Sequence, residues 1–193
     1  MKSLERARRE LIIARESLTS LQRASNLTAW EVEWSRVLQH IERCWNKTKG
    51  AMKERPKWQG WTGRGRIEKL RDSDPLLAYL CNARGADEHS VAEITDKVPG
   101  GIGVGPPRGS SSVHIKTMRI NGPNIHIESD QPLTFSVIRP RLALKTIVNR
   151  GREYPVPTTH LGMPLGGVDL VTVANAGINF YEDALRSIEQ EFG

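Results

Sequence analysis

The chain has 193 residues, 38% of them hydrophobic and 26% charged, a composition that is globular rather than disordered, and it is long enough to bury a core without disulfide or metal staples. Two isolated cysteines, Cys44 and Cys81, show no C-x-x-C spacing and point to a reducing compartment. The net charge of +6 and pI near 9.6 favour anionic partners.

The first predicted helix covers Ser3 to Arg23, where Leu4, Ala7, Leu11, Ala14, Leu18 and Leu21 recur at steps of three and four. Its charged start lacks the apolar run of a secretory signal, so a soluble, cytoplasmic protein is expected. A second helix is predicted from Thr28 to Lys49, with Trp30, Trp34, Val37, Ile41, Cys44 and Trp45 on one stripe. The short link between the two predicts an antiparallel, up-down pair.

Pro56, Gly60, Gly63 and Gly65 break the pattern, so residues 57–66 are expected to form a loop or a short broken helix. Basic residues concentrate here. Between Lys47 and Arg71 stand nine basic and two acidic side chains, a surplus of seven, more than the whole chain's. Lys57, Arg64 and Arg66 could meet phosphates, and Trp58 and Trp61 could stack on bases, as single-stranded nucleic acid requires. The competing reading is a solvated connector whose tryptophans fold back onto the helices.

Asp74-Pro75 is a strong helix start, and Leu76, Leu77, Leu80, Ala83 and Val91 carry a helix to about Thr95. Residues 98–112 are rich in Gly, Pro and Ser and are expected to be a flexible linker. A small antiparallel sheet of three or four strands is predicted beyond it, over Val113–Ile120, Asn124–Glu128, Leu133–Ile138 and Leu142–Val148, with Asn121-Gly122 as a hairpin turn. Residues 154–164 contain three prolines and are expected to be extended loop. The last predicted helix, Val168–Glu191, should pack back on the first two. Its apolar start, Val168 to Ile178, is too short to span a bilayer, so no membrane contact is expected.

The expected fold is therefore mainly α: a four- to five-helix up-down bundle with a small antiparallel β insertion before the final helix. Residues 1–97 would form the helical part, 98–165 the linker and β insertion, and 166–193 the returning helix. The five histidines are scattered without an H-x3-H or H-E-x-x-H pattern, so no metal and no cofactor are expected.

The predicted helix after Asp74 carries Cys81-Asn82-Ala83-Arg84-Gly85-Ala86-Asp87-Glu88-His89. This Arg-x4-His motif, late in a helix that follows two seam-forming helices, resembles the HEPN family. The resemblance covers residues 3–97 and extends to the final helix. It implies a helical bundle that dimerises so that two motifs face each other, and a metal-independent endoribonuclease active in toxin–antitoxin or phage-defence systems. RNA, a second copy and a cognate antitoxin or defence partner are the implied partners. Arg84 and His89 are then the catalytic pair, His89 moving the proton of the 2′-hydroxyl and Arg84 neutralising charge on the phosphorane oxygens. Asn82, Asp87 and Glu88 would support the site. Glu88, four residues after Arg84, has the spacing of an ordinary salt bridge. Family members often carry Asn where this chain has Gly85, so a non-catalytic HEPN-like module that binds RNA or nucleotide, or scaffolds a partner, is the alternative. A third reading is a β-domain binding module on a helical dimerisation stalk.

Overall fold

Residues 4–87, 94–122 and 124–193 are described by the computed structural model. The chain divides into two compact units, one made of residues 1–97 with 142–193, the other of residues 98–141.

In the first unit, α1 (Glu5–Arg23) and α2 (Leu27–Met52) form where the apolar stripes require helices. The Asn26 side chain caps α2 by accepting from the Ala29 amide at 2.8 Å, and the Trp30 indole donates to the Ala24 carbonyl. The two helices fold back on each other through Leu11, Ala14, Leu18 and Leu21 against Trp34, Val37, Leu38, Ile41 and Trp45, all buried. The last helix, α5 (Leu170–Phe192), packs on both with Val173, Ala174, Ile178, Tyr181, Leu185 and Ile188. Asp169 caps it by accepting from the amides of Val171 and Thr172.

Between them run α3 (Thr62–Ser73) and α4 (Pro75–Asp87). Asp74 caps α4 as its sequence predicts, accepting from the Leu77 amide at 3.0 Å. Leu76, Leu77, Tyr79, Leu80 and Ala83 are buried, so α4 lies deep in the unit.

Short strands complete the chain: β1 (Thr95–Val98), β2 (Gly101–Gly105), β3 (Ile115–Asn121), β4 (Asn124–Ser129), β5 (Thr134–Ile138), β6 (Arg141–Leu144), β7 (Ile147–Asn149), β8 (Arg152–Tyr154), β9 (Thr159–His160) and β10 (Met163–Pro164). They pair as five separate two-stranded sheets, β1 with β6, β2 with β5, β3 with β4, β7 with β8 and β9 with β10.

The expectation of a mainly α up-down bundle with one small β insertion is thereby corrected. Among the described residues the protein is 50% helical and 23% strand, and its strands form several small antiparallel sheets. The reason is local pairing. Arg150-Gly151 and Leu161-Gly162, all four residues at positive φ, close two tight hairpins within residues 147–164. Strand residues also enter the helical core, where Leu142 and Ile147 are buried and the Tyr79 hydroxyl donates to the Lys145 carbonyl at 3.0 Å.

Within the expected linker at 98–112, residues 101–105 form a strand. Its glycines alternate with Ile102 and Val104 along β2, which pairs in register with β5. Residues 142–165, placed with the β insertion by sequence, belong to the helical unit. Among the described residues, no helix is long and apolar enough to cross a membrane.

Candidate functional site

The Arg-x4-His motif begins in the last turn of α4. Arg84 is half-buried there. His89 and Glu88 lie outside the described residues, and Asp87 ends the helix. Two residues beside Arg84, Asn82 and Gly85, face the β7–β8 hairpin. Asn82 donates through Nδ2 to the Ala78 carbonyl at 2.8 Å, and its Oδ1 accepts from Asn149 Nδ2 at 3.0 Å. Asn82 therefore ties α4 to the β7–β8 hairpin. A Cβ on Gly85 would stand 2.8 Å from Asn149 Nδ2. The end of the Asn149 side chain lies where a Cβ at position 85 would go.

The basic stretch separates into two kinds of cation. Lys47 pairs with buried Glu10, which also meets His40 Nδ1 at 2.5 Å. Arg64 bonds to Glu68 at 3.1 Å and to Gln59, and its guanidinium lies 5.9 Å from the Trp58 ring centre. Arg71 is largely buried, donating to Glu42 at 2.7 Å and to the Tyr181 hydroxyl, over the rings of Trp45 and Tyr181. These three cations hold the fold. Lys49, Lys53, Lys57, Arg66 and Lys69 are exposed.

The two tryptophans expected on an exposed loop also differ. Trp58 is 2% exposed, stacked on Trp61 at 5.7 Å and edge-on to Phe192. It is a core residue and cannot stack on a base. Trp61 is only partly buried and flanks a cavity of about 540 Å³ between α3, α5 and the β9–β10 hairpin. Gly63 allows this: a Cβ there would lie 2.3 Å from the Trp61 ring.

Apolar atoms of Ile67, Leu70, Phe180 and Ala184 line the cavity, with Arg66 and His160 as its cation and its imidazole. Arg66 makes no ion pair among the described residues. His160 is positioned by buried Asp74, whose carboxylate meets His160 Nδ1 at 2.9 Å and accepts from the Leu161 amide at 2.7 Å. Since Nδ1 is held by the carboxylate, Nε2 is the ring nitrogen left to a ligand. One aspartate thus caps α4, anchors the hairpin turn and orients an imidazole. Sequence reasoning passed over His160 because Asp74 and His160 are 86 positions apart.

Neither thiol offers a nucleophile near neutral pH. Burial pushes Cys44 up to about 12 and Cys81 up to about 11. Among the described residues, no group of three or more His, Cys, Asp or Glu could hold a metal ion. Comparison of the chain with protein-family models, with curated proteins and with solved structures finds no match.

Proposed function

We propose that the protein acts on RNA, with the exposed cations between Lys49 and Lys69 holding phosphates and Arg84 with His89 cutting the strand. The observation that carries the RNA reading is the set of exposed bases from Lys49 to Lys69, of which Arg66 lines a cavity together with the Trp61 indole and the oriented His160 imidazole. Phosphates neutralise the cations, and a base can lie against the Trp61 ring and the apolar wall. The cutting step rests on the resemblance carried by Arg84 and His89. The 2′-hydroxyl attacks its neighbouring phosphorus, His89 moves the proton, and Arg84 stabilises the phosphorane. The P–O5′ bond breaks, leaving a 2′,3′-cyclic phosphate and a 5′-hydroxyl, so DNA is not cut.

A second reading, RNA or nucleotide binding without cleavage, is favoured by Gly85, which brings no side chain beside Arg84, and by Asn82, whose amide is engaged by Ala78 and Asn149. Incubation with transfer and messenger RNA in EDTA separates the two. Cleavage that vanishes in Arg84→Ala and in His89→Ala, with helical content unchanged, supports the enzyme. Binding without cleavage, unaltered by His89→Ala, supports the module. Protein that neither binds nor cuts either RNA at low salt would sink both.

A further inference from the structure

The polar groups lining the cavity between α3, α5 and the β9–β10 hairpin fall into two sets. Those on α5 are engaged within the protein. Asn179 Oδ1 accepts from Arg15 at 2.7 Å, Asp183 pairs with Arg186, and Ser187 Oγ donates to the Asp183 carbonyl at 3.0 Å. Arg66 and Nε2 of His160 make no hydrogen bond or ion pair among the described residues.

The imidazole is held from behind. Asp74 is 4% exposed, and its carboxylate accepts from the Leu77 and Leu161 amides as well as meeting His160 Nδ1. A carboxylate only accepts, so Nδ1 carries the proton and Nε2 of the neutral ring is a bare acceptor. The same ring stands edge-on to Phe180, with centres 5.7 Å apart, and only 15% of the His160 side chain is exposed. His160 thus belongs to the apolar wall, whereas Arg66 is exposed. A ligand that fits lays a flat ring bearing an N–H donor among the apolar atoms. Its anionic group stays at the exposed guanidinium, because a charge buried without a partner is costly. A volume of about 540 Å³ suits one small ligand.

We propose that the cavity takes one unpaired nucleotide and that His160 selects its base. Nε2 accepts from the ring N–H of uracil or guanine, and Arg66 pairs with the phosphate. Cytosine and adenine present a lone pair at the corresponding ring nitrogen and oppose Nε2. Splayed bases in single-stranded RNA are read this way, against aromatic rings and along their pairing edges. The choice of a nucleotide rests on the RNA reading; the preference among bases comes from the fixed imidazole. A free nucleotide and an unpaired one in RNA present the same chemistry.

The test is calorimetric titration at about pH 8, above the usual histidine range. The probes are uridine, 3-methyluridine and cytidine 5′-monophosphates, with short oligouridylate and oligocytidylate. The wild type is expected to bind uridine monophosphate at least roughly tenfold tighter than cytidine monophosphate or the methylated form, which has no ring N–H. His160→Phe keeps a ring and removes the acceptor, so the three monophosphates should bind alike, with circular dichroism checking that the helices persist. Arg66→Gln should weaken all three by the same factor and leave the preference intact. Equal binding of uridine monophosphate and its methylated form by the wild type overturns the proposal, and that comparison needs no variant to fold. Oligomers bound without preference, with no binding of the monophosphates, also overturn it while leaving the RNA reading in place. Preferential binding of uridine monophosphate without oligouridylate upholds the site for a free nucleotide and counts against the RNA reading. Preferential binding of oligouridylate assigns the site to RNA.

Discussion

Charge in this chain has two duties, and single residues show which applies. Arg71 belongs to a basic stretch legible in the sequence, yet its side chain is sealed between Trp45, Tyr181 and Glu42. Arg71→Ala should cost about 1–3 kcal/mol by leaving Glu42 and Tyr181 without their donor. Chemical denaturation measures the loss, and RNA affinity of the folded fraction should not change. Glu10 gives a pH signature. Burial opposes its charge, but hydrogen bonds from Lys47 and His40 outweigh this and hold its carboxyl below the ordinary value of about 4.5. A carboxyl depressed in the folded state stabilises fully above its unfolded value and loses that contribution as the pH falls through the folded one. Thermal stability should therefore decline as acid is added below about pH 4.5, and Glu10→Gln should flatten that decline. A Glu10→Gln profile as steep as the wild type's would assign the acid sensitivity elsewhere. Arg66 and Arg71 lie in one basic run, and sequence could not tell the exposed cation from the buried one, because the residues that claim Arg71 come from α2 and α5.

At the level of elements, periodicity did its part where apolar stripes are long. α1, α2 and α5 fall within a few residues of their predicted limits, and Asp74-Pro75 marks the start of α4. Short hairpins were illegible for a definite reason. Their turns use Arg150-Gly151 and Leu161-Gly162, where the first residue takes positive φ without being Asn, Asp or Gly, so no turn signal announces them. Gly101, Gly103 and Gly105 suggested flexibility, although Ile102 and Val104 between them keep a strand's period of two. Close packing of α4 on α5 depends on Gly177, where a Cβ would come within 2.3 Å of Leu80 Cδ1. Gly177→Ala should lower stability by about 1–2 kcal/mol, overpacking outweighing the gain of about 1 kcal/mol in helix propensity. Combination with Leu80→Ala should cost less than the two single changes summed, a coupling that a double-mutant cycle reads directly. Strict additivity would place the strain elsewhere. The same logic at Gly63 predicts that Gly63→Ala displaces the Trp61 indole, seen as a shift in tryptophan emission with the helices intact.

For the whole molecule, the candidate RNA-binding residues lie in one of the two compact units. The helical unit carries the exposed cations from Lys49 to Lys69, the His160–Asp74 pair and Arg84. The RNA reading depends on phosphates meeting Arg66 and Lys69 and leaving the structural cations alone. Electrostatic binding of that kind releases counterions, so affinity falls linearly with salt on logarithmic axes, with a slope set by the number of phosphates neutralised. The most direct measurement is that slope for a single-stranded RNA, compared between the wild type and Arg66→Gln with Lys69→Gln. Wild-type binding with a slope that becomes shallower by about one to two in the double variant is the predicted result. An unchanged slope, or no binding even at low salt, would contradict it.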